Sequence, residues 1–452
     1  MKLVRIGSGA GYSGDRIEPA VELARHGQLD YLVFECLAER TIALAQQARR
    51  HDPEKGYDPL LVERMEAVLP DALSRNVKII TNMGAANPLA GAACVERVVQ
   101  GLCSRLGRPI RVAAITGDDV LDQIRDRNYS MQESGRTVSS LGDRAISANA
   151  YLGAWPLVNA LAQGADIVIA GRVADSAMFL APLAHEFGWS DTDWQKLGRG
   201  TVVGHLLECA GQITGGFYAN PGYQDVKRLA RLGFPLAEVD EEGNCIITKV
   251  AGSGGEVTVA TCTEQLLYEI HDPRDYRVPD VIADLSQVEI VQQGVDRVRI
   301  TGGSGREAPV QLKASVGFLD GYLAEAEISY GGPGAVARAR LACDIVAERL
   351  ALTGVSYGDA RFDLIGLDSL HGSRLSAHAG MDPYEVRVRV AARSPTLRDA
   401  ERITGEVEAL YTNGPAGGAG VRRSVREVVA VESCFLPREW VVPKIQIREI
   451  RH

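Results

Sequence analysis

Short apolar runs alternate with longer stretches of helical apolar spacing through the first part of the chain. Runs of four to eight apolar residues bounded by glycine or polar loops predict buried strands, and a period near 3.6 predicts helices. The strands read 3–6, 31–34, 77–81, 110–115 and 166–170; the helices read 17–26, 37–50, 60–75 and 91–106. A further helix runs up to Gly164, with Leu152, Trp155, Val158, Leu161 and Ala162 on one face. Strands joined through helices imply right-handed crossovers and a parallel sheet. Five or six such strands suit a doubly wound α/β sheet better than a closed eight-stranded barrel.

After Gly222 the pattern changes. Residues 245–250, 256–263, 288–291, 297–301, 310–316 and 322–330 are rich in strand formers, 335–352 and 397–410 are amphipathic helices, and 362–365, 385–391 and 426–431 read as strands. This predicts an α+β domain, a mixed sheet covered by two helices on one face. Pro221, Gly222, Gly233 and Pro235 cluster where the pattern changes, so the expected division is an N-terminal domain over 1–225 and a C-terminal domain over 226–452. The stretch LYTNGPAGGAGV at 410–421 has little side chain to bury and reads as a loop. It is expected to close over the site as a lid, bringing Asn413 and the backbone N–H groups of 417–420.

Composition narrows the class of partner. The 452 residues carry a net charge of −9 with dispersed basic residues, which argues against nucleic acid and for a small molecule. No signal-peptide core and no run of roughly 20 apolar residues is present, so a cytoplasmic protein without membrane contact is expected. Eight cysteines without a CxxC pair indicate neither a disulfide framework nor a zinc knuckle.

Each of the five strands ends in a small or polar loop, and in a parallel sheet those loops gather on one rim, where ligands bind. The loop GRVADS at 171–176 offers Arg172, Asp175 and Ser176, and the loop after 31–34 offers Glu35 and Cys36. Converging carboxylates raise one another's pKa, so Glu35 and Asp175 are the candidate acid and base. Arg172 is the candidate clamp for a substrate carboxylate. Asp118 and Asp119 suit catalysis or helix capping. Asn82, Asn87 and Asn149 are candidate neutral donors to an oxyanion, or turn residues. The glycine loop 7–14 leads into a helix, with Asp15 as expected cap, so Gly9 and Gly11 are candidate anion binders. It is neither GxGxxG nor a P-loop, and no cofactor is expected. His205 lies one helical turn from Glu208 and Cys209; with no paired motif, a catalytic or packing role is expected there and no metal. A hydrolase using Cys36 or Ser176 with His205 is the alternative chemistry.

The stretches RIGSGAGYSGDR (5–16), FECLAERT (34–41), TNMGAANP (81–88), TGDD (116–119), SANAYLGAW (147–155), GRVADSA (171–177), GTVVGHLLECAGQITGG (200–216), TEQLLYEIHDP (263–273) and LYTNGPAGGAGVR (410–422) resemble the acyclic terpene utilisation AtuA family. The resemblance implies a place in the catabolism of branched, carboxylated acyl groups, free or as coenzyme A thioesters. Longer relatives end in a small ferredoxin-like-fold domain, so the resemblance also implies a separate small subunit of that fold as partner. Three functions are expected to compete: a cofactor-independent lyase or hydro-lyase, a thioester or acyl hydrolase, and a non-catalytic subunit that completes its site with the small partner. A homo-oligomer is expected.

Overall fold

Residues Tyr31–Phe34 and Ile167–Ala170 are buried at every position, as strands covered on both faces must be. In the computed structural model, which describes residues 2–376 and 382–451, they lie in the middle of a ten-stranded sheet. The strands of the first part are β1 (Val4–Ala10), β2 (Tyr31–Phe34), β3 (Lys78–Thr81), β4 (Ile110–Thr116), β5 (Ala145–Ala150) and β6 (Ile167–Ala170). Five of them run parallel in the order β1-β2-β3-β6-β4. The helices between them are α1 (Glu18–His26), α2 (Glu39–His51), α3 (Leu61–Ser74), α4 (Pro88–Leu106), α5 (Leu121–Ile124) and α6 (Trp155–Ala162). Leu23 of α1, Met65 and Leu69 of α3 and Val95 of α4 pack on Leu32, Phe34, Ile79 and Ile169 to form the core. The carboxyl ends of five parallel strands therefore share one rim.

After β6 come α7 (Ala177–Phe187) and α8 (Trp194–Leu207), and then the chain returns to the same sheet. β7 (Pro235–Val239) pairs antiparallel with β1, and β8 (Cys245–Lys249) with β7. α9 (Val259–Leu267), β9 (Tyr276–Val278), β10 (Val281–Asp284), β11 (Glu289–Gly294), β12 (Arg297–Thr301) and β13 (Ser304–Arg306) follow. β12 joins β8, β11 joins β12, and β9, β10 and β13 form a separate three-stranded sheet. The large sheet is thus mixed, parallel at its centre and antiparallel at its edges.

The chain divides into one compact unit of Met1–Gly317 with Val431–His452 and a second of Phe318–Ala430. The division expected near 225 lies inside the first unit, because β7 and β8 hydrogen-bond onto the parallel strands. Residues 256–263, expected as a strand, instead open α9. Thr258 and Thr261 there form a reciprocal capping box, which uses the β-branched residues as helix caps.

The second unit draws on β14 (Gln311–Gly331), α10 (Ala335–Leu352), β15 (Ala360–Ile365), α11 (Gly372–Ser376), β16 (Glu385–Ser394), α12 (Leu397–Glu408), α13 (Leu410–Asn413) and β17 (Ala419–Pro437), with strand order β15-β16-β14-β17. Ala324, Ala326 and Ile328 alternate inward with Val386, Val388 and Val390, and α10 and α12 cover them. That is the expected sheet under two helices. The last strand of the first unit, β18 (Lys444–Ile450), pairs antiparallel with β4. Among the described residues no helix is long and apolar enough to cross a membrane.

Candidate active site

The rim loops meet α8 and the loop after α9 around a cavity of about 720 Å³, lined by Glu35, Glu39, Asp175, Glu208, Tyr268 and Glu269 among others. Glu35 follows β2 directly, so the sheet sets its place. Its Oε1 accepts from Leu37 N at 2.7 Å and from Asn82 Nδ2 at 3.0 Å, while Asn82 Oδ1 accepts from Cys36 N at 2.8 Å. Asn82, from the end of β3, thus holds the Glu35 loop and carboxyl together. Burial raises the Glu35 pKa and the Glu208 carboxylate adds to it, against Arg172 and the two hydrogen bonds.

Arg172 follows β6 and is 1% exposed. Its Nη1 donates to Leu37 O, its Nη2 to Val173 O at 3.0 Å and to Asp175 Oδ1, and its guanidinium lies 4.3 Å from the Tyr151 ring centroid. Both terminal nitrogens are therefore engaged inside the protein. Where a clamp open to substrate was expected, Arg172 turns its terminal fork to Leu37 O, Val173 O and Asp175, and only its buried Nε is left without a partner. Burial drives the Asp175 carboxyl well above its ordinary range, and Glu35, Glu208 and Glu39 reinforce that against Arg172. Burial and the neighbouring carboxylates thus favour the protonated forms of Glu35 and Asp175, against the Arg172 guanidinium. Glu39 is the exception. Although burial opposes its ionisation, the Tyr151 hydroxyl donates to it and Lys313 Nζ lies 3.1 Å away, which hold it down at about 2.

The GRVADS loop is fixed from beneath by Asp118, at the end of β4. Asp118 Oδ2 accepts from Arg172 N and Asn149 Nδ2, both at 2.9 Å, and burial pushes its pKa up to about 6. Asp119 Oδ1 accepts from Leu121 N at 3.3 Å, in the first turn of α5. Of this pair one braces the rim and the other accepts from the first residue of α5, whose cap position is Val120.

His205 does not reach the cavity surface. Its Nδ1 lies 2.8 Å from Glu208 Oε1 and its Nε2 3.2 Å from Leu266 O, so both ring nitrogens face acceptors. That arrangement favours imidazolium, and despite burial the Glu208 contact raises its pKa. His205 thus stands behind Glu208, off the cavity wall.

Other expected site residues are occupied by the fold. β1 continues through Gly7–Ala10, so the first half of the glycine stretch is strand: a Cβ on Gly9 would meet the Phe34 ring at 2.5 Å, and one on Gly11 the Cys209 backbone at 2.6 Å. Gly11 N already donates to Asp15 Oδ2 at 3.0 Å, so the loop's own carboxylate takes the place expected for an anion. That same carboxylate does not cap α1, whose cap position is Ile17. Asn87 caps α4 and donates to Pro53 O and Lys55 O, and Asn149 serves Asp118, so neither is a free donor.

Ser176 is buried and lines an adjoining cavity with Tyr151 and Asp175. Cys36 Sγ accepts from Arg64 Nη1 at 2.8 Å and burial raises its thiol well above the ordinary range, and both His205 nitrogens are engaged elsewhere. These contacts weigh against the hydrolase constellation. In the second unit, Asn413 Nδ2 donates to Ala409 O at 3.2 Å, and Arg338 Nη1 holds Ala416 O at 2.7 Å. The expected 410–421 loop is shorter than read, since α13 and β17 take both its ends. Glu39, Tyr151 and Glu269 were not singled out from the sequence; their signal was position, each lying within a stretch carrying the family resemblance.

The model of one family, described as acyclic terpene utilisation family protein AtuA, matches residues 4–447. No curated protein and no solved structure matches the chain significantly.

Proposed function

The chain belongs to the acyclic terpene utilisation family AtuA, and on that basis we propose a cofactor-independent lyase or hydro-lyase acting on a branched, carboxylated acyl substrate, as free acid or thioester. The observation that carries this reading is Glu35, a buried carboxyl with raised pKa, pinned through one oxygen on a cavity wall. A base of this kind works near neutral pH, where an ordinary carboxylate is too weak. In the hydro-lyase direction Glu35 takes the proton from the carbon next to the acyl carbonyl. Asp175, kept protonated by burial and its carboxyl neighbours, gives its proton to the departing hydroxyl oxygen. The C–H and C–O bonds break, a C=C bond forms and water leaves. Gln212 and Tyr268 on the wall supply neutral donors for the developing enolate. The same groups run the hydration in reverse.

The test is a panel of branched acyl thioesters and free acids, incubated with wild type and Glu35→Gln and followed by mass spectrometry for gain or loss of water. Turnover by wild type and not by the variant supports the reading. A covalent acyl group trapped on Ser176 or Cys36 overturns it in favour of the hydrolase.

A further inference from the structure

Glu35 and Glu208 line the first cavity from two different elements, Glu35 from the loop after β2 and Glu208 as the residue that closes α8. Each carboxyl has one oxygen held and one left over. Glu35, 8% exposed, takes both its hydrogen bonds on Oε1, and no described residue bonds its Oε2. Glu208 Oε1 faces His205 Nδ1 at 2.8 Å, and its Oε2 is buried without a partner among the described residues. The second carboxyl is placed as firmly as the first. A Cβ on Gly204 would meet the Ser176 backbone at 2.5 Å, so α8 runs directly against the GRVADS loop and brings Glu208 to the cavity one turn later. Gln265 of α9 donates to His205 O at 3.1 Å, and the Tyr276 ring of β9 lies 5.4 Å from the imidazole, so two further elements hold the His205–Glu208 pair.

A buried carboxyl oxygen without a donor is costly, and its retention calls for a ligand or a reaction. Burial and the Glu208 charge favour the acid form of Glu35, whereas Glu208 stands against His205, whose own pKa that contact raises. One cavity thus holds a carboxyl biased toward its acid form and another paired with a cation, the complement needed to take one proton and give another. We propose that the cavity also works as an epimerase site: Glu35 and Glu208 act on opposite faces of one stereogenic carbon next to an acyl carbonyl, one taking its proton and the other returning one. The C–H bond breaks, its electron pair passes into the carbonyl as an enolate, and a new C–H bond forms on the other face from the second carboxyl. The configuration inverts with no co-reactant and no gain or loss of water. For the enantiomer that the lyase consumes, Glu35 is the base and Glu208 the acid; for its mirror image the roles exchange. The substrate class is an acyl compound with a single hydrogen on the branched carbon next to its carbonyl. Glu35 as a base at that carbon is taken from the lyase reading, on which this rests; the proton moved by Glu208 goes beyond it.

The test uses thioesters that carry no hydroxyl and so cannot lose water: the (R)- and (S)-α-methylbutanoyl thioesters of N-acetylcysteamine, each incubated with the full chain in D2O. Proton NMR follows exchange at the α-carbon, and chiral chromatography of the released acid follows configuration. Wild type is expected to exchange and invert both enantiomers. Glu35→Gln and Glu208→Gln are expected to suppress exchange of opposite enantiomers, each by about 10²-fold or more, and both lose inversion. Should Glu208→Gln not fold, Glu208→Asp keeps the charge, withdraws the carboxyl by one methylene and is expected to slow the same enantiomer. No exchange in wild type, exchange without inversion, inversion that persists in Glu208→Gln, or suppression of the same enantiomer by both variants overturns the epimerase site. Exchange of both enantiomers at the wild-type rate in Glu35→Gln overturns the Glu35 reading instead, so the two failures are distinct.

Discussion

In the second unit Arg387 and Arg389 stand on the open face of the sheet, part-exposed, and meet Glu327 at 3.2 Å and Asp363 at 2.7 Å. In the first, Arg172 meets Asp175 with its guanidinium sealed against Tyr151 and two backbone carbonyls. The first arrangement is a ladder of part-exposed pairs, each worth roughly 1 kcal/mol or less. The second leaves more carboxyls than cations in a buried place, which folding alone gives no reason to keep. Charge on the β16 ladder is spread along a part-exposed sheet face; charge at the rim of the parallel sheet is gathered in a buried cluster.

The largest effect expected is on Glu35. Glu35→Gln keeps an oxygen to accept from Leu37 N and Asn82 Nδ2, so thermal stability stays close to wild type while kcat/KM falls by about 10²–10⁴. Wild-type kcat/KM should in turn drop as pH falls through a value above the ordinary carboxylate range. Next, Arg172→Met leaves Asp175 and the Leu37 carbonyl without their partner and should cost about 3 kcal/mol in denaturant unfolding. Arg172→Lys keeps the charge but loses the fork, and intermediate stability with reduced kcat at unchanged KM is the mark of a positioning residue.

Asp118 gives a pH prediction. Its folded pKa, about 6, lies above the unfolded value, so the folded state binds the proton more tightly and stability falls as pH rises from about 4 to about 6. Asp118→Asn should flatten that fall when unfolding midpoints are compared across the range; an unchanged slope would mean that the carboxyl is not buried as described. Gly9→Val drives a Cβ into the Phe34 ring and should destabilise by roughly 1–3 kcal/mol, with no change in anion response. Smallest of all, Arg389→Met on the outer ladder should cost about 0.2–1 kcal/mol and leave activity untouched.

The parallel core was legible because burial on both faces makes β2, β3 and β6 continuous apolar runs, and the helices between them fix the direction of every crossover. The rim and its carboxyls followed from that. What failed were places where local signals carry tertiary meaning. Gly7 and Gly9 read as a ligand loop, but they are strand glycines that admit Leu29 and Phe34. The Pro/Gly cluster at 221–235 read as a domain boundary, yet Leu229, Leu232 and Phe234 within it wall the cavity. Arg172 read as a clamp since a sequence lists a guanidinium without its acceptors; Leu37 and Val173 supply them as backbone atoms, which no residue type announces. The two cavities, assembled from segments more than two hundred residues apart such as Tyr151 and Phe435, leave no local pattern at all.

The central claim is that Glu35 moves a proton between substrate and solvent. Deuterium exchange into the substrate identified by the thioester panel, followed in D2O by NMR at the carbon next to the carbonyl, tests it most directly. Wild type and Arg389→Met should exchange that position at equal rates and Glu35→Gln should not exchange it measurably; exchange in Glu35→Gln at the wild-type rate would contradict the account.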